Sequence, residues 1–417
     1  MNPQARLVIP GAVLQQAIRA LERSHADWLA CTVERARRQS GEDWLTRGLA
    51  RGRQLPDPAL VVARTPVLPV AFASPTAVLY LRQGEPPRAY LLDSRGQRRP
   101  MGLLILAPGL PEVGATVAPA PDAERWSRVA GALGDYAWRR LCRLHYLIVG
   151  CGRNGSLIAH ALARIGAHRM TLVDPDTTEL YNLDGDGFLP DHITRPKADA
   201  LAESLRAVNP TLEVQALPHS ASDHRILPAA READVLITAV DDDGARWAVA
   251  HLSVLYLKPM LDVGTGVLHT ESGEPLIGAD IRWLVPGECC LLCTGGVANP
   301  QQVEVVRQGL YAEQQHRAQR HWQRERLGSL RSLNMMATGL ALRTLEDYLA
   351  MRLHTSRWLR LVYQGATPQL HELGHGAPNR NCLCAHTGGG DKLLTQPLDS
   401  IRQISHSEPQ VPNPVVR

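Results

Sequence analysis

Five short apolar runs alternate with helical stretches between residues 144 and 264, and this alternation constrains the chain more than any other feature. HYLIVG, RMTLVD, LEVQAL, ADVLITAV and KPMLDVG are nearly continuous apolar segments of strand length. Residues 154–165, 196–208 and 244–256 separate them with helical patterning. Strands that are apolar on both faces and joined by helices bury both faces under helices. The expected class is therefore α/β, a doubly wound and mainly parallel sheet. Further on, Leu333, Met336, Ala337, Leu340, Ala341, Leu345, Tyr348 and Leu349 share one face of a helix over residues 332–350, a stripe suited to a core.

The first 118 residues read differently. Residues 11–39 place Val13, Ile18, Leu21, Trp28 and Val33 near helical spacing, which predicts one or two amphipathic helices. ALVVARTPVLPV, TAVLYLR, AYLLDS and MGLLILAPG follow, separated by turn residues, and predict a small antiparallel sheet. Residues 107–123 are rich in Pro, Ala and Gly and read as a linker. The expected organisation is a small α+β domain over 1–118, a nucleotide-type α/β domain over 119–390 and a loose Pro- and polar-rich tail over 391–417.

Charge excludes some classes. A formal net charge of +4 over 417 residues is too weak for a nucleic-acid-binding face. No run of eighteen uncharged apolar residues occurs, so no membrane span is expected. The opening residues lack a secretory pattern, and the expected setting is the cytoplasm. There the eight cysteines are not expected to form disulfides.

Gly150-x-Gly152-x-x-Gly155 follows the first apolar run and opens a helix. Gly150 allows the tight turn and Gly152 lets backbone approach a phosphate, while the helix start offers free N–H groups and a positive dipole end. Nineteen residues past Gly155, Asp174 ends the run RMTLVD. A carboxylate there accepts from ribose hydroxyls and discourages a 2′-phosphorylated cofactor. This much leaves NAD and ATP both open.

Four flanking stretches are similar to the ThiF-type adenylating enzymes, relatives of the ubiquitin-activating enzymes, over about residues 125–392. RWSR, residues 125–128, resembles the family's Arg-Tyr-x-Arg motif, whose second arginine reaches the ATP of the partner in family homodimers; here it is Arg128. VDPDTTELYNL resembles the acid–x–acid run ending in Asn-Leu, which implies Asp174 and Asp176 on the nucleotide side and Asn182 near the phosphates. RPKADALAESLRAVNP resembles the helix whose lysine neutralises phosphate charge, here Lys197. AVDDDGAR resembles the stretch whose acid holds magnesium, and register to Arg246 picks Asp241. In one departure, Gly185 stands where the family has an arginine on the triphosphate; Arg153 and Arg195 are candidate substitutes. Taken singly, Lys197 reads as a solvated first-turn lysine, Arg128 as a surface arginine, and one of Asp241–Asp243 as a helix cap.

Cys290-x-x-Cys293 and Cys382-x-Cys384 are nearly ninety residues apart. Two such pairs fit a tetrahedral thiolate zinc site, with a redox dithiol or buried thiols as alternatives. The resemblance implies a structural zinc here. Conjugating family members carry a catalytic cysteine after the first pair, and none lies between Cys293 and Cys382. Cys289 and Cys151 are the nearest candidates, and both also read as packed thiols. Residues 314–331 form a basic, His-rich stretch that reads as a solvated helix or crossover above the site.

The resemblance thus implies ATP- and Mg-dependent adenylation of the C-terminal carboxylate of a ubiquitin-like or sulfur-carrier protein, by a homodimer, with thioester transfer as an open second step. The alternatives are an NAD-dependent oxidoreductase on the same sheet and a non-catalytic scaffold descended from adenylating enzymes.

Overall fold

The computed structural model describes residues 4–24, 26–37, 41–50, 56–64, 74–81, 88–93, 95–106, 124–269, 275–319, 329–353 and 355–374. The linker at 107–123, the tail from 391 and the pair Cys382 and Cys384 lie outside these residues.

Seven strands near the N-terminus close into a barrel: β1 (Gln4–Pro10), β2 (Trp28–Arg37), β3 (Gly41–Leu49), β4 (Ala59–Ala63), β5 (Thr76–Tyr80), β6 (Arg88–Leu92) and β7 (Arg98–Leu106). Their order is β1-β3-β2-β4-β5-β6-β7, closed by the β1–β7 pairing. The expected antiparallel sheet is corrected on two counts. The sheet closes, and β1–β3, β1–β7 and β4–β5 are parallel. Closure removes the open edges that a small sheet would present. The helix expectation over 11–39 is half right. α1 (Gly11–Ser24) is helical, and its Val13, Leu14, Ala17 and Leu21 enter the barrel core. Trp28 and Val33 belong to β2, where Cys31 and Val33 point inward. The register shift opposite Thr32 and Val33 places the extra residue, Arg47, on β3, and β2 keeps its two-residue alternation.

The strands β1 and β3 are apolar on both faces for a reason. Leu7, Ile9 and Trp44 fill the barrel, whereas Val8, Leu45 and Ala36 of β2 pack into the larger core of the following α/β unit. Buried charges fix this junction. Arg6 donates to Asp43 at 3.0 and 3.1 Å and to Asp234 at 3.0 Å. Lys258 Nζ lies 3.4 Å from Asp43, and the His145 N–H donates to Asp234 at 3.0 Å. Burial pushes the Asp234 carboxyl up, but Arg6 and Lys258 outweigh it and hold it below its ordinary value. This stabilisation is present above the unfolded aspartate pKa of about 4 and is lost as pH falls through the lower folded value. Asp43→Leu strips a counter-ion from two buried cations at once. It is expected to cost about 3 kcal/mol or more, read as a lower denaturation midpoint, whereas Glu22→Ala on the exposed face of α1 should change little.

The second unit begins with α2 (Ser127–Leu133) and α3 (Asp135–Arg143). An eight-stranded sheet follows, with strands β8 (His145–Val149), β9 (Arg169–Val173), β10 (Glu213–Leu217), β11 (Val235–Thr238), β12 (Met260–His269), β13 (Pro275–Leu284), β14 (Arg357–Gln364) and β15 (Thr367–Leu373). Its order is β10-β9-β8-β11-β12-β13-β14-β15. β8 to β12 are parallel and β13 to β15 form an antiparallel extension. The crossovers carry α4 (Arg153–Arg164), α5 (Lys197–Val208), α6 (Leu227–Glu232) and α7 (Asp243–Tyr256). α8 (Pro300–Arg307), α9 (Leu310–Gln319) and α10 (Arg331–Leu349) follow β13. α10 packs on α3, α4, β12 and β13 through the stripe read in the sequence. Chain order reverses direction between β8 and β11, so the carboxyl ends of these two strands flank a crevice where such sheets bind ligands. No described helix is long and apolar enough to cross a membrane.

Candidate nucleotide-binding site

The glycine loop lies at that crevice, and two of its three glycines are sterically obligatory. Gly150 has φ +95°, and a Cβ there would sit 2.7 Å from the Ala239 carbonyl oxygen. A Cβ on Gly155 would come within 1.8 Å of the Gly150 carbonyl oxygen, so the first turn of α4 rests directly on the loop. Gly152 precedes α4 and has nothing within 4 Å of its would-be Cβ. Open space therefore faces the helix N-terminus, where free N–H groups and the dipole favour an anion.

Asp174, at the end of β9, is buried and does more than the sequence reading assigned it. Its Oδ2 accepts from the Cys151 N–H at 2.7 Å and its Oδ1 from the Asp176 N–H at 2.9 Å, which clamps the loop to β9. Burial pushes this carboxyl up from its ordinary value, while Lys197 and the two amide donors pull the other way. Lys197 opens α5, and its Nζ lies 3.0 Å from Asp176 Oδ2. Burial works against the ammonium, but Asp174 and Asp176 outweigh it and raise it to about 12. Lys197 is thus a buried, permanently charged cation beside the loop, and not a solvated first-turn lysine.

The three consecutive acids separate by role. Asp242 caps α7, accepting from the Ala245 N–H at 2.8 Å. Asp243 accepts from the Ala298 and Asn299 N–H groups at 2.8 and 2.7 Å. Asp241 is exposed beyond β11 and forms no hydrogen bond or ion pair among the described residues, which leaves its carboxylate available to a cation such as Mg²⁺. Arg246 extends from α7 over the backbone of Gly264, whose Cβ would meet Nη2 at 2.2 Å, and lies 3.4 Å from buried Asp262.

Other sequence candidates are placed less directly. Asn182 lies on a short helical turn at Leu180–Asp184, and its Oδ1 accepts from the Glu179 N–H at 2.9 Å. Arg153 pairs with Asp184 through Nη2 at 2.6 Å and Nε at 3.2 Å. Arg195 is held by Glu203 at 2.5 Å. Arg128 is exposed on α2, whose neighbouring Trp126 donates to the carbonyl of Arg164 at the far end of α4. A twelve-residue helix is about 18 Å long, so Arg128 does not meet its own chain's loop. A cleft of about 310 Å³ opens beyond Asp176, lined by Pro175, Pro218, His219, Asp223, Arg225 and Glu313 among others. It continues the crevice on the ribose-acid side.

The sequence reading missed a polar cluster under the loop. Asn334 of α10 donates to Asn154 Oδ1 at 2.7 Å, and Asn154 donates to Thr265 at 3.1 Å. It also passed over Arg331, which donates to the Asp184 carbonyl at 2.8 Å and to Asp186 at 3.0 Å. Membership in the basic stretch 314–331 was the one available signal for Arg331.

Cys290 Sγ and Cys293 Sγ lie 3.8 Å apart. Two thiolates on one tetrahedral zinc, each at about 2.3 Å, stand about 3.8 Å apart, so this pair fits half of such a site. Among the described residues no third His, Cys, Asp or Glu joins them. Burial pushes the Cys31 and Cys142 thiols up to about 12 and raises the Cys151 thiol well above its ordinary value. These three are packing residues rather than nucleophiles.

Residues 126–322 match the model of the ThiF family. Ubiquitin-like modifier-activating enzyme 6 of Mus musculus is 32% identical over 161 residues, covering 35% of this chain and 15% of the mouse protein. The sulfur carrier protein adenylyltransferase of Thermus thermophilus is 28% identical over 175 residues, 40% of this chain and 65% of the relative. This chain therefore spans less than two thirds of either relative. Among solved structures, E. coli MccB with MccA superposes with a TM-score of 0.49 at 19% identity, over 64% of this chain and 76% of that one. Residues 126–322, from the helix before β8 through the crevice and beyond α9, are a ThiF family domain.

Proposed function

We propose that this protein uses ATP to adenylate the C-terminal carboxylate of a ubiquitin-like or sulfur-carrier protein. A carboxylate oxygen attacks the α-phosphorus, the bond from that phosphorus to the β-bridging oxygen breaks, and pyrophosphate leaves with its electrons. The observation that carries this reading is the buried Lys197 ammonium beside the glycine loop, with the uncommitted Asp241 carboxylate across the crevice. Phosphoryl chemistry needs that cation and that metal ligand, whereas hydride transfer to NAD uses neither. The names of the relatives, which describe activation of ubiquitin-like modifiers and adenylylation of sulfur carriers, support it.

In this reading the α4 amides and Lys197 hold the phosphates, Asn182 lies beside them, and Asp174 receives the ribose. Asp241 holds Mg²⁺, which would spread the charge of the leaving pyrophosphate. Arg128 serves the partner's site in a homodimer, and the exposed Leu180, Leu189, Leu330 and Met335 offer apolar surface for that contact. The adenylating unit spans 119–390, the barrel unit 1–118 and a tail 391–417, in a cytoplasmic setting that keeps thiols reduced. ATP–pyrophosphate exchange that depends on an added carrier ending in Gly-Gly is the expected result. Tight NAD binding without ATP binding would sink the reading.

Cys290, Cys293, Cys382 and Cys384 would complete a structural zinc site. One equivalent of zinc is expected by metal analysis of the purified protein. Cys290→Ser should lose it and lower the melting midpoint by several degrees. Wild-type protein without zinc would remove this part of the proposal.

A further inference from the structure

We propose that Arg331 is a nucleotide-binding residue that contacts the β- and γ-phosphates, alongside Arg153; this rests on the ATP reading above. The inference begins with the turn Asp184–Gly185–Asp186. A Cβ on Gly185 would lie 4.0 Å from Ser156 Oγ, so this turn sits against the first turn of α4, beside the free amides of the glycine loop. Two guanidinium groups grip it from different elements. Arg153, the first residue of α4, takes the Asp184 carboxylate, and Arg331, the first residue of α10, takes the Asp184 carbonyl and Asp186 Oδ1. One residue, Asp184, is touched by both arginines.

Electrostatics gives these cations a task. ATP brings four negative charges into a crevice that already presents Asp174, Asp176 and Asp241. Lys197 shares its charge with Asp174 and Asp176. A polyphosphate there needs further cations at its distal end, and Arg153 and Arg331 stand at the turn facing it. The present partner of Arg331 is easily exchanged. Its side chain is 53% exposed, and Asp186 meets it through Oδ1 alone, Oδ2 accepting nothing among the described residues. An exposed, single-point ion pair is weak, while guanidinium and phosphate pair through two parallel hydrogen bonds.

The base of Arg331 is anchored independently. Ser329 Oγ donates to Asn334 Oδ1 at 3.0 Å, and Asn334 Nδ2 donates to Asn154 at 2.7 Å and reaches Thr265 at 3.3 Å. Both asparagines are buried. The first turn of α10 is thereby tied to the first turn of α4 and to β12, so the reach of Arg331 is set by a fixed frame.

Binding of ATP, ADP and AMP with Mg²⁺, measured by calorimetry on the full chain, tests the assignment. Arg331→Ala should weaken ATP about tenfold and leave AMP within twofold, and Arg331→Lys should recover part of the loss. Asp186→Asn removes the competing carboxylate and should leave ATP binding equal or tighter. The assignment is overturned if Arg331→Ala leaves ATP unchanged, or weakens AMP as much as ATP. It is equally overturned if Asp186→Asn weakens ATP as Arg331→Ala does, since Arg331 would then merely pin the turn. Lys197→Ala in the same assay separates the two levels. Loss of ATP there with full retention in Arg331→Ala rejects only this inference, whereas no ATP binding by the wild-type chain rejects the ATP reading itself.

Discussion

Lys197→Ala should reduce carrier-dependent ATP–pyrophosphate exchange by about a hundred- to a thousandfold, the usual cost of removing one preorganised charge from a developing oxyanion. The size of the effect follows from where the lysine stands. It is buried, it opens α5 at the carboxyl side of β9, and its ammonium stays charged to about pH 12. Removing it deletes a cation, and it also leaves Asp174 and Asp176 without their counter-charge beside an incoming polyphosphate. Repulsion then adds to lost attraction, which at low local dielectric is steeper than in water. Lys197→Arg should rescue little, because the larger planar guanidinium has no room where the lysine side chain is only 10% exposed. Loss of the counter-charge to buried Asp174 should also lower the melting midpoint, so circular dichroism at the assay temperature checks that the variant is folded. Wild-type exchange rates in Lys197→Ala would refute the role.

A second large effect is expected at Gly155. A methyl group there would lie 1.8 Å from the Gly150 carbonyl oxygen and 2.9 Å from its carbon. Gly150 cannot retreat, since it holds a positive φ, donates to the Val173 carbonyl and lies against the Ala239 backbone and the Val240 side chain. The helix or the loop must move by an ångström or more. Gly155→Ala should therefore cost about 3 kcal/mol or more and abolish nucleotide binding. Gly152→Ala is the informative contrast. Nothing lies within 4 Å of its added methyl and its φ of −71° suits any residue, so stability should hold. The methyl would occupy the space through which a phosphate approaches, and ATP affinity should fall about tenfold. Equal stability for Gly155→Ala and wild type in a denaturant titration would contradict the packing argument.

Much of the α/β unit was legible because its signals are local. Strands buried on both faces read as continuous apolar runs, and the helices between them kept their period, so β8 to β11 and α4, α5, α7 and α10 fall within a residue or two of expectation, while β12 runs five residues past its expected end. The barrel was less legible. Three of its pairings are parallel, β3 carries a bulge opposite Thr32/Val33, and closure depends on β1 meeting β7 some ninety residues away. No local pattern reports such a pairing. Residues of the site divide in the same way. Gly150, Asp174 and Lys197 were singled out by motif and position. Asn154, Thr265, Asn334 and Arg331 were not, because each is unremarkable in its own segment and acquires meaning only from the others.

By itself the sequence determined the doubly wound sheet, the place of the glycine loop at a strand end, and the positions of the acids and lysine near it along the chain. Side-chain period and residue type carry that information over a few residues at a time. Only the tertiary structure decided which of three consecutive aspartates is uncommitted, that Asp174 clamps the loop, and that Arg128 lies a helix length from its own loop. It also decided that a barrel is locked onto the α/β unit by Arg6, Asp43, Asp234 and Lys258. These are consequences of contacts between distant segments. A carboxylate's role is set by which donors surround it in space, and the order of residues along the chain does not contain that.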